Sequence, residues 1–269
     1  MTVEIGVILP TSTPDPEHPV LGDVRASARF AEGAGLDSVW STDHLIASAP
    51  MLDSTVVLAT AAAVTDRITI GFNVMLLALR PVAWAAKQIT SLQYVSGGRL
   101  VVGVGTGNPA HGDAGWRAAG VPFGERGRRT DEALRVLRRL VAGEPVALDG
   151  AGELAIAPGS AVPPIYVAGD APKALLRAAR YGDGWATIAA TPDQVAERVG
   201  RLRELAEREG RPAPGATVVG PALDTDDTGR AAEQLAAYAA AGTERVILAP
   251  TGRDWREDYE FAARVRESL

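Results

Sequence analysis

Short apolar runs alternate with longer stretches of helical period along nearly the whole chain. Residues 3–9 (VEIGVIL) have a strand pattern closed by Pro10, which cannot donate to a ladder. Residues 21–34 set Val24, Ala28 and Ala31 on one side and run into Gly35, which predicts a helix with its stop signal. The same alternation predicts strands over 37–41, 67–74 and 99–104, and helices over 54–65, 81–95 and 124–141. Pro81 falls in a first helical turn, where its missing N–H costs nothing. The rhythm then pauses at 143–157, GEPVALDGAGELAIA, where Asp149-Gly150 is a hairpin turn signal. It resumes with strands over 165–168, 184–188, 217–220 and 245–249, and helices over 172–181, 192–209, 228–241 and 255–268.

Eight strand–helix units without a long linker predict a closed parallel (β/α)8 TIM barrel, a single domain over residues 1–269. The hairpin, at about 143–157, is a short insertion after the fourth unit. An open doubly wound sheet is the competing arrangement of the same units. The Pro/Gly-rich stretch 157–164 mimics a linker, but too little chain lies on either side for two compact α/β domains.

Composition narrows the chemistry. The net charge is −6 with no basic run, which argues against a nucleic-acid partner. Without cysteine there is no disulfide, no thiolate nucleophile and no thiolate metal site. His18, His44 and His111 are scattered without ligand spacing, so no metal is expected. The longest apolar run, 54–64, is far short of the ~18 residues of a membrane span. The first residues lack a basic region followed by a long apolar one, so a cytoplasmic protein is expected.

In a barrel the chemistry sits just beyond the C-terminal ends of the strands. After the second strand come Asp43 and His44, and an imidazole there suits proton transfer; the alternative makes Asp43 a helix N-cap. After the third, Asn73 stands where an apolar residue is expected and needs a partner, whereas Arg80 reads as solvated. After the fourth, GVGTGN (103–108) has three glycines in five residues, which let backbone approach a flat or anionic ligand or simply make a tight strand exit. It is not a dinucleotide fingerprint, because it does not open directly into a helix. Gly169, Asp170 and Ala171 lead into a helix N-terminus, a ready anion site, although Asp170 would repel a phosphate and is a natural cap. Trp40, Trp84, Trp116 and Trp185 read as core.

Taken in order, SVWSTDH (38–44), RITIGFNVM (67–75), SGGRLVVGVGTG (96–107), ERGRRTDEALRVLRRL (125–140) and PPIYVAGDAPKALLRAARYGDGW (163–185) resemble the luciferase-like superfamily of flavin and deazaflavin enzymes. That resemblance implies an oxidoreductase acting on a small-molecule substrate, with His44 handling a proton and Asp43 beside it. It implies a non-proline cis peptide at Asn73-Val74 under the redox ring, cofactor contacts from Thr106, Gly107 and Asn108, and a cofactor phosphate near Gly169, Asp170 and Ala171. The glycine-rich loop, without the arginine that some flavin mononucleotide (FMN) users place there, favours the deazaflavin F420 and hydride transfer. The alternatives are an FMN-dependent two-component monooxygenase fed by a separate reductase, and a non-catalytic barrel serving as a partner subunit. A homodimer is common in that superfamily.

Overall fold

The strands of the computed structural model are β1 (Glu4–Ile8), β2 (Ser38–Ser41), β3 (Thr69–Met75), β4 (Leu100–Val104), β5 (Val146–Leu148), β6 (Gly152–Leu154), β7 (Ile165–Ala168), β8 (Gly184–Ile188), β9 (Gly215–Val219) and β10 (Thr243–Leu248). The structure describes residues 3–12, 22–47, 49–148, 150–251 and 254–269. Eight strands close into a barrel in the order β1-β10-β9-β8-β7-β4-β3-β2. Every barrel pairing is parallel, and β1 hydrogen-bonds to both β2 and β10, which rules out the open sheet. Strands β5 and β6 form a separate antiparallel hairpin where the rhythm of the sequence pauses. Its turn residue Asp149 lies outside the described residues, as do His18 and the predicted first-helix residue Leu21.

The helices are α1 (Val24–Gly33), α2 (Ser54–Val64), α3 (Val82–Val95), α4 (Ala114–Ala118), α5 (Arg126–Ala142), α6 (Pro172–Tyr181), α7 (Pro192–Arg208), α8 (Thr228–Ala240) and α9 (Trp255–Glu267). Local chemistry fixes their starts. Asp23 accepts from the backbone N–H groups of Arg25 and Ala26, and Asp53 from that of Val56. Thr191 and Gln194 complete a capping box on α7. Gly143 ends α5 in the left-handed region at φ 79°, as a C-terminal glycine can. The short helix α4 and the 3-10 turns at Leu77–Leu79, Pro109–His111 and Phe123–Glu125 are absent from the sequence pattern, because they are too short to show a period. Among the described residues no helix is long and apolar enough to cross a membrane.

Two apolar layers follow from strand alternation. Outward-facing Val39, Ile70, Phe72, Val102, Val167, Trp185, Val218 and Val246 are fully buried under the helices. Each such side chain contributes roughly 1.5–3 kcal/mol by leaving water. Inside the barrel, Trp40, Val101, Val219 and Ile247 pack with Ile8 and Tyr166. Trp40 fits because two facing positions are glycine: a Cβ on Gly71 would fall within the indole, and one on Gly6 would strike its Nε1 and Ser38. The indole N–H donates to Ser38 Oγ at 2.8 Å, satisfying its buried polar end. Trp84, expected in the core, is 66% exposed on α3.

Candidate active site

Above the Trp40 layer the barrel opens into a cavity of about 390 Å³. That is room for a small molecule or cofactor ring, since such pockets span about 300–1,000 Å³. Its wall is built from strand ends and the loops beyond them: Ile8, Ala168, Ala186, Ile188 and Val219 are apolar contributions, and Asn73 and Val74 form one side. Of the sequence-predicted residues, Asp43, His44, Asn73, Val74, Thr106, Gly107, Asn108, Gly169 and Asp170 all reach this wall. Ala171 does not; it is the N-cap residue of α6.

The β3 side of the cavity is irregular. The Asn73-Val74 peptide is cis, and the β3–β4 register shifts between Phe72 and Met75. Pairing recovers where Gly105 N–H donates to Met75 O at 3.2 Å. Two glycines make this bulge possible. A Cβ on Gly103 would strike the Phe72 carbonyl, and one on Gly105 would strike Val74. Glycines 103 and 105 therefore admit the neighbouring strand, and Gly105 also lines the cavity. Gly107 is left-handed at φ 81°, and a Cβ there would come 3.0 Å from the Trp116 ring. Asn73 is half-buried, and among the described residues its side-chain amide makes no hydrogen bond within the protein. The amide is thus available to a polar ring edge in the cavity. Asn108 is partly committed: its Oδ1 accepts from Ala110 N–H at 3.0 Å and starts the 109–111 turn.

Asp43 is not a helix cap, since Asp53 caps α2. It is 4% exposed, and its carboxylate accepts from Ser54 Oγ at 3.1 Å and Leu76 N–H at 2.8 Å. Arg80 Nη2 closes the set, 2.9 and 2.7 Å from the two carboxylate oxygens. Arg80, which reads as solvated in the sequence, is the counter-ion of a buried carboxylate. Asp43 thus ties the turn after β2 to the segment after β3, and His44 projects from the fixed turn into the cavity. Burial lowers the His44 pKa below the usual imidazole value, and His111 adds to the effect while the Asp43 charge opposes it. His44 is consequently neutral at pH 7, able to accept a proton from a bound group.

At the opposite side, Gly169 (φ 122°) opens the turn into α6, and Trp185 Nε1 donates to its carbonyl at 2.9 Å. No side chain caps α6, so Asp170 does not play the role predicted for it. Asp170 instead pairs with Arg198 at 3.4 Å, and Arg198 Nη1 also donates to Thr187 Oγ1 at 3.3 Å. The carboxylate that would repel an anion is therefore offset by a guanidinium, beside an uncapped helix N-terminus.

Sequence reasoning passed over Thr42, Leu76, Ile8, Ile188 and Val219, which also line the cavity. The last three were accessible to it: each ends a strand, where barrel side chains face the site. His111 is the other omission. It sits on the 109–111 turn with its ring edge-to-face to His44, centroids 4.8 Å apart. A histidine in a loop beyond a barrel strand was the available signal.

Comparison with known proteins fits this architecture. An uncharacterized protein of Mycobacterium tuberculosis is 36% identical over 170 residues, 61% of this chain and 58% of that protein. The chain thus matches little more than half the length of that relative. A 5,10-methylenetetrahydromethanopterin reductase of Methanolobus tindarius is 30% identical over 250 residues, 89% of this chain and 73% of the reductase. A solved F420-dependent secondary alcohol dehydrogenase, in complex with an F420-acetone adduct, superposes with TM-score 0.81 at 20% identity, covering 100% of this chain and 98% of that one. At that identity the likeness speaks for the fold. Residues 3–264 match the family described as luciferase-like monooxygenase, so nearly the entire barrel carries the match. This chain belongs to the luciferase-like monooxygenase family.

Proposed function

We propose that this chain is an F420-dependent oxidoreductase that moves a hydride to or from a small organic substrate, with residues 1–269 acting as one unit. The observation that carries the reading is the cavity wall itself: the Asn73 amide, without a partner among the described residues, on a bulged strand end, and a neutral His44 at the end of the adjacent strand, both lining one cavity with Ile8, Ala168, Ala186, Ile188 and Val219. Those groups fit a flat, polar-edged ring. Val74 would support its face, Asn73 would meet its edge, and Thr106, Gly107 and Asn108 would flank it. Gly169, Asp170 and Ala171, with Arg198, would receive the phosphate. When bound, the deazaflavin supplies two-electron hydride chemistry. The chain's own part is to orient ring and substrate, exclude water with the apolar wall, and hold a proton at His44.

The relative from Methanolobus tindarius is named a reductase, which supports the redox reading, and a relative from Mycobacterium tuberculosis, 32% identical over 200 residues, is named an F420-dependent hydroxymycolic acid dehydrogenase, which supports the cofactor assignment. A separate reductase that recharges the cofactor and a homodimer belong to the same proposal. Titration of the purified protein with F420 and with FMN tests it. Tight F420 binding with weaker FMN binding is expected, and tight FMN binding without affinity for F420 would convert the reading to the two-component monooxygenase. With F420 and a turned-over substrate, His44→Asn is expected to lower kcat by about 10²–10⁴-fold, the usual range for general acid–base catalysis.

A further inference from the structure

His44 and His111 come from different strand ends and meet at the cavity wall with ring centroids 4.8 Å apart. The two differ in exposure. His44 is half-buried, whereas His111 is exposed on the turn after β4. We propose that His111 is the solvent-side station of a two-histidine proton relay, taking the proton that His44 removes from substrate and passing it to water. This rests on the proposed hydride chemistry, because an alcohol that gives up a hydride to the oxidised cofactor must also give up its hydroxyl proton. That proton goes to the neutral His44 imidazole, then to His111, then to solvent, and the reverse reaction runs the path backwards.

Electrostatics favours a single shared proton. Two imidazolium ions at this separation in a half-buried site repel each other by an amount that water only partly screens. The pair therefore carries at most one proton, and a proton taken up by His44 is passed on before another arrives. Burial disfavours the charge on His44, so a proton taken from substrate is driven outward and the inner ring returns to its neutral, basic form. Among the described residues, the carboxylates near the pair are themselves paired with guanidinium groups. Asp43 favours charge on His44, but its carboxylate is already neutralised by Arg80. Asp113, two residues beyond His111, is paired with Arg117 at 3.3 Å, and Asp170 on the α6 side of the cavity is paired with Arg198. His111 acts through His44 and is a positioning residue for the proton, not a group on the reacting atoms.

The chain has only three histidines, so imidazole NMR signals can be assigned by single substitutions. In cofactor-free protein, His111→Asn is expected to raise the His44 titration midpoint. A midpoint that does not respond to the removal of His111 overturns the relay. This measurement needs no cofactor, so it stands or falls apart from the F420 titration. In the F420-loaded enzyme, His111→Ala is expected to reduce kcat about 10-fold, the low end of proton-transfer effects, with the acid limb of the pH profile moved to higher pH and turnover recovered by added imidazole. Full activity in that variant, or a loss that imidazole does not recover while circular dichroism shows a native fold, overturns it equally.

Discussion

Arg80 governs His44 without touching it. Its guanidinium holds a carboxylate that is almost fully buried, and that carboxylate holds the turn bearing the imidazole. Removing one partner of such a pair strands a charge in a poor solvent, and costs about 3–5 kcal/mol in buried cases. Because Arg80 keeps 17% of its side chain exposed, Arg80→Met is expected at the low end, roughly 3 kcal/mol, by urea unfolding. Asp43→Asn in the same background removes the stranded charge and should recover part of that loss; a double-mutant cycle with no coupling would dismiss the pair as a support. This contact was invisible in the sequence. Thirty-seven positions separate the two residues, and an arginine ahead of a helix looks the same whether it meets water or a buried acid. His44 and Asp43 themselves were legible, because a polar pair just past a strand is where a barrel places its chemistry.

At the scale of elements, the sequence supplied the glycines of 103–107 but not what they accommodate. Glycine signals only that something comes close; a ligand and a neighbouring strand leave the same mark. The structure assigns Gly103 and Gly105 to the β3 bulge and Gly107 to Trp116. Gly105→Ala therefore pushes against Val74 and moves the peptide that shapes one side of the cavity. We expect a destabilisation of about 1–3 kcal/mol, the cost of overpacking, together with a loss of cofactor affinity of at least about tenfold. Val74→Ala added to Gly105→Ala clears the overlap with the side chain and should return much of the stability. Fluorescence titration and thermal unfolding of the single and double variants test this; if cofactor affinity in Gly105→Ala is unchanged, the bulge does not shape the binding surface. Strand and helix positions, by contrast, were legible almost to the residue, since long apolar periods punctuated by Pro and Gly survive any local detail. The segment from 109 to 125 was not, because its turns are one or two windings long.

Closure of the whole barrel depends on joining the two ends of the chain. Strands β1 and β10 pair directly, and α9 reinforces the seam from outside. Tyr259, 2% exposed, donates its hydroxyl to Ile8 O at 3.0 Å and packs edge-on to Trp255 at 5.3 Å. Arg266 reaches Asp37 at 2.8 Å, and Asp37 in turn accepts from Ile5 N–H at 2.8 Å. Counting eight units in the sequence implied a closed ring, but the count says nothing of which side chains lock it, since those contacts span more than 200 positions. Tyr259→Ala removes a large buried side chain and its hydrogen bond, at a cost of about 3–5 kcal/mol. At roughly 2–4 °C per kcal/mol for a chain of this size, Tm should fall by roughly 6–20 °C. The seam and the site are also linked, because Ile8 both accepts from Tyr259 and lines the cavity. Saturation with F420 at about 100 times Kd adds about 2.7 kcal/mol to a barrel that binds it, so wild type should gain several degrees. Tyr259→Ala, with Ile8 released, should gain less at the same concentration. Equal gains in the two proteins would separate the seam from the site, and leave α9 a stabiliser of the barrel alone.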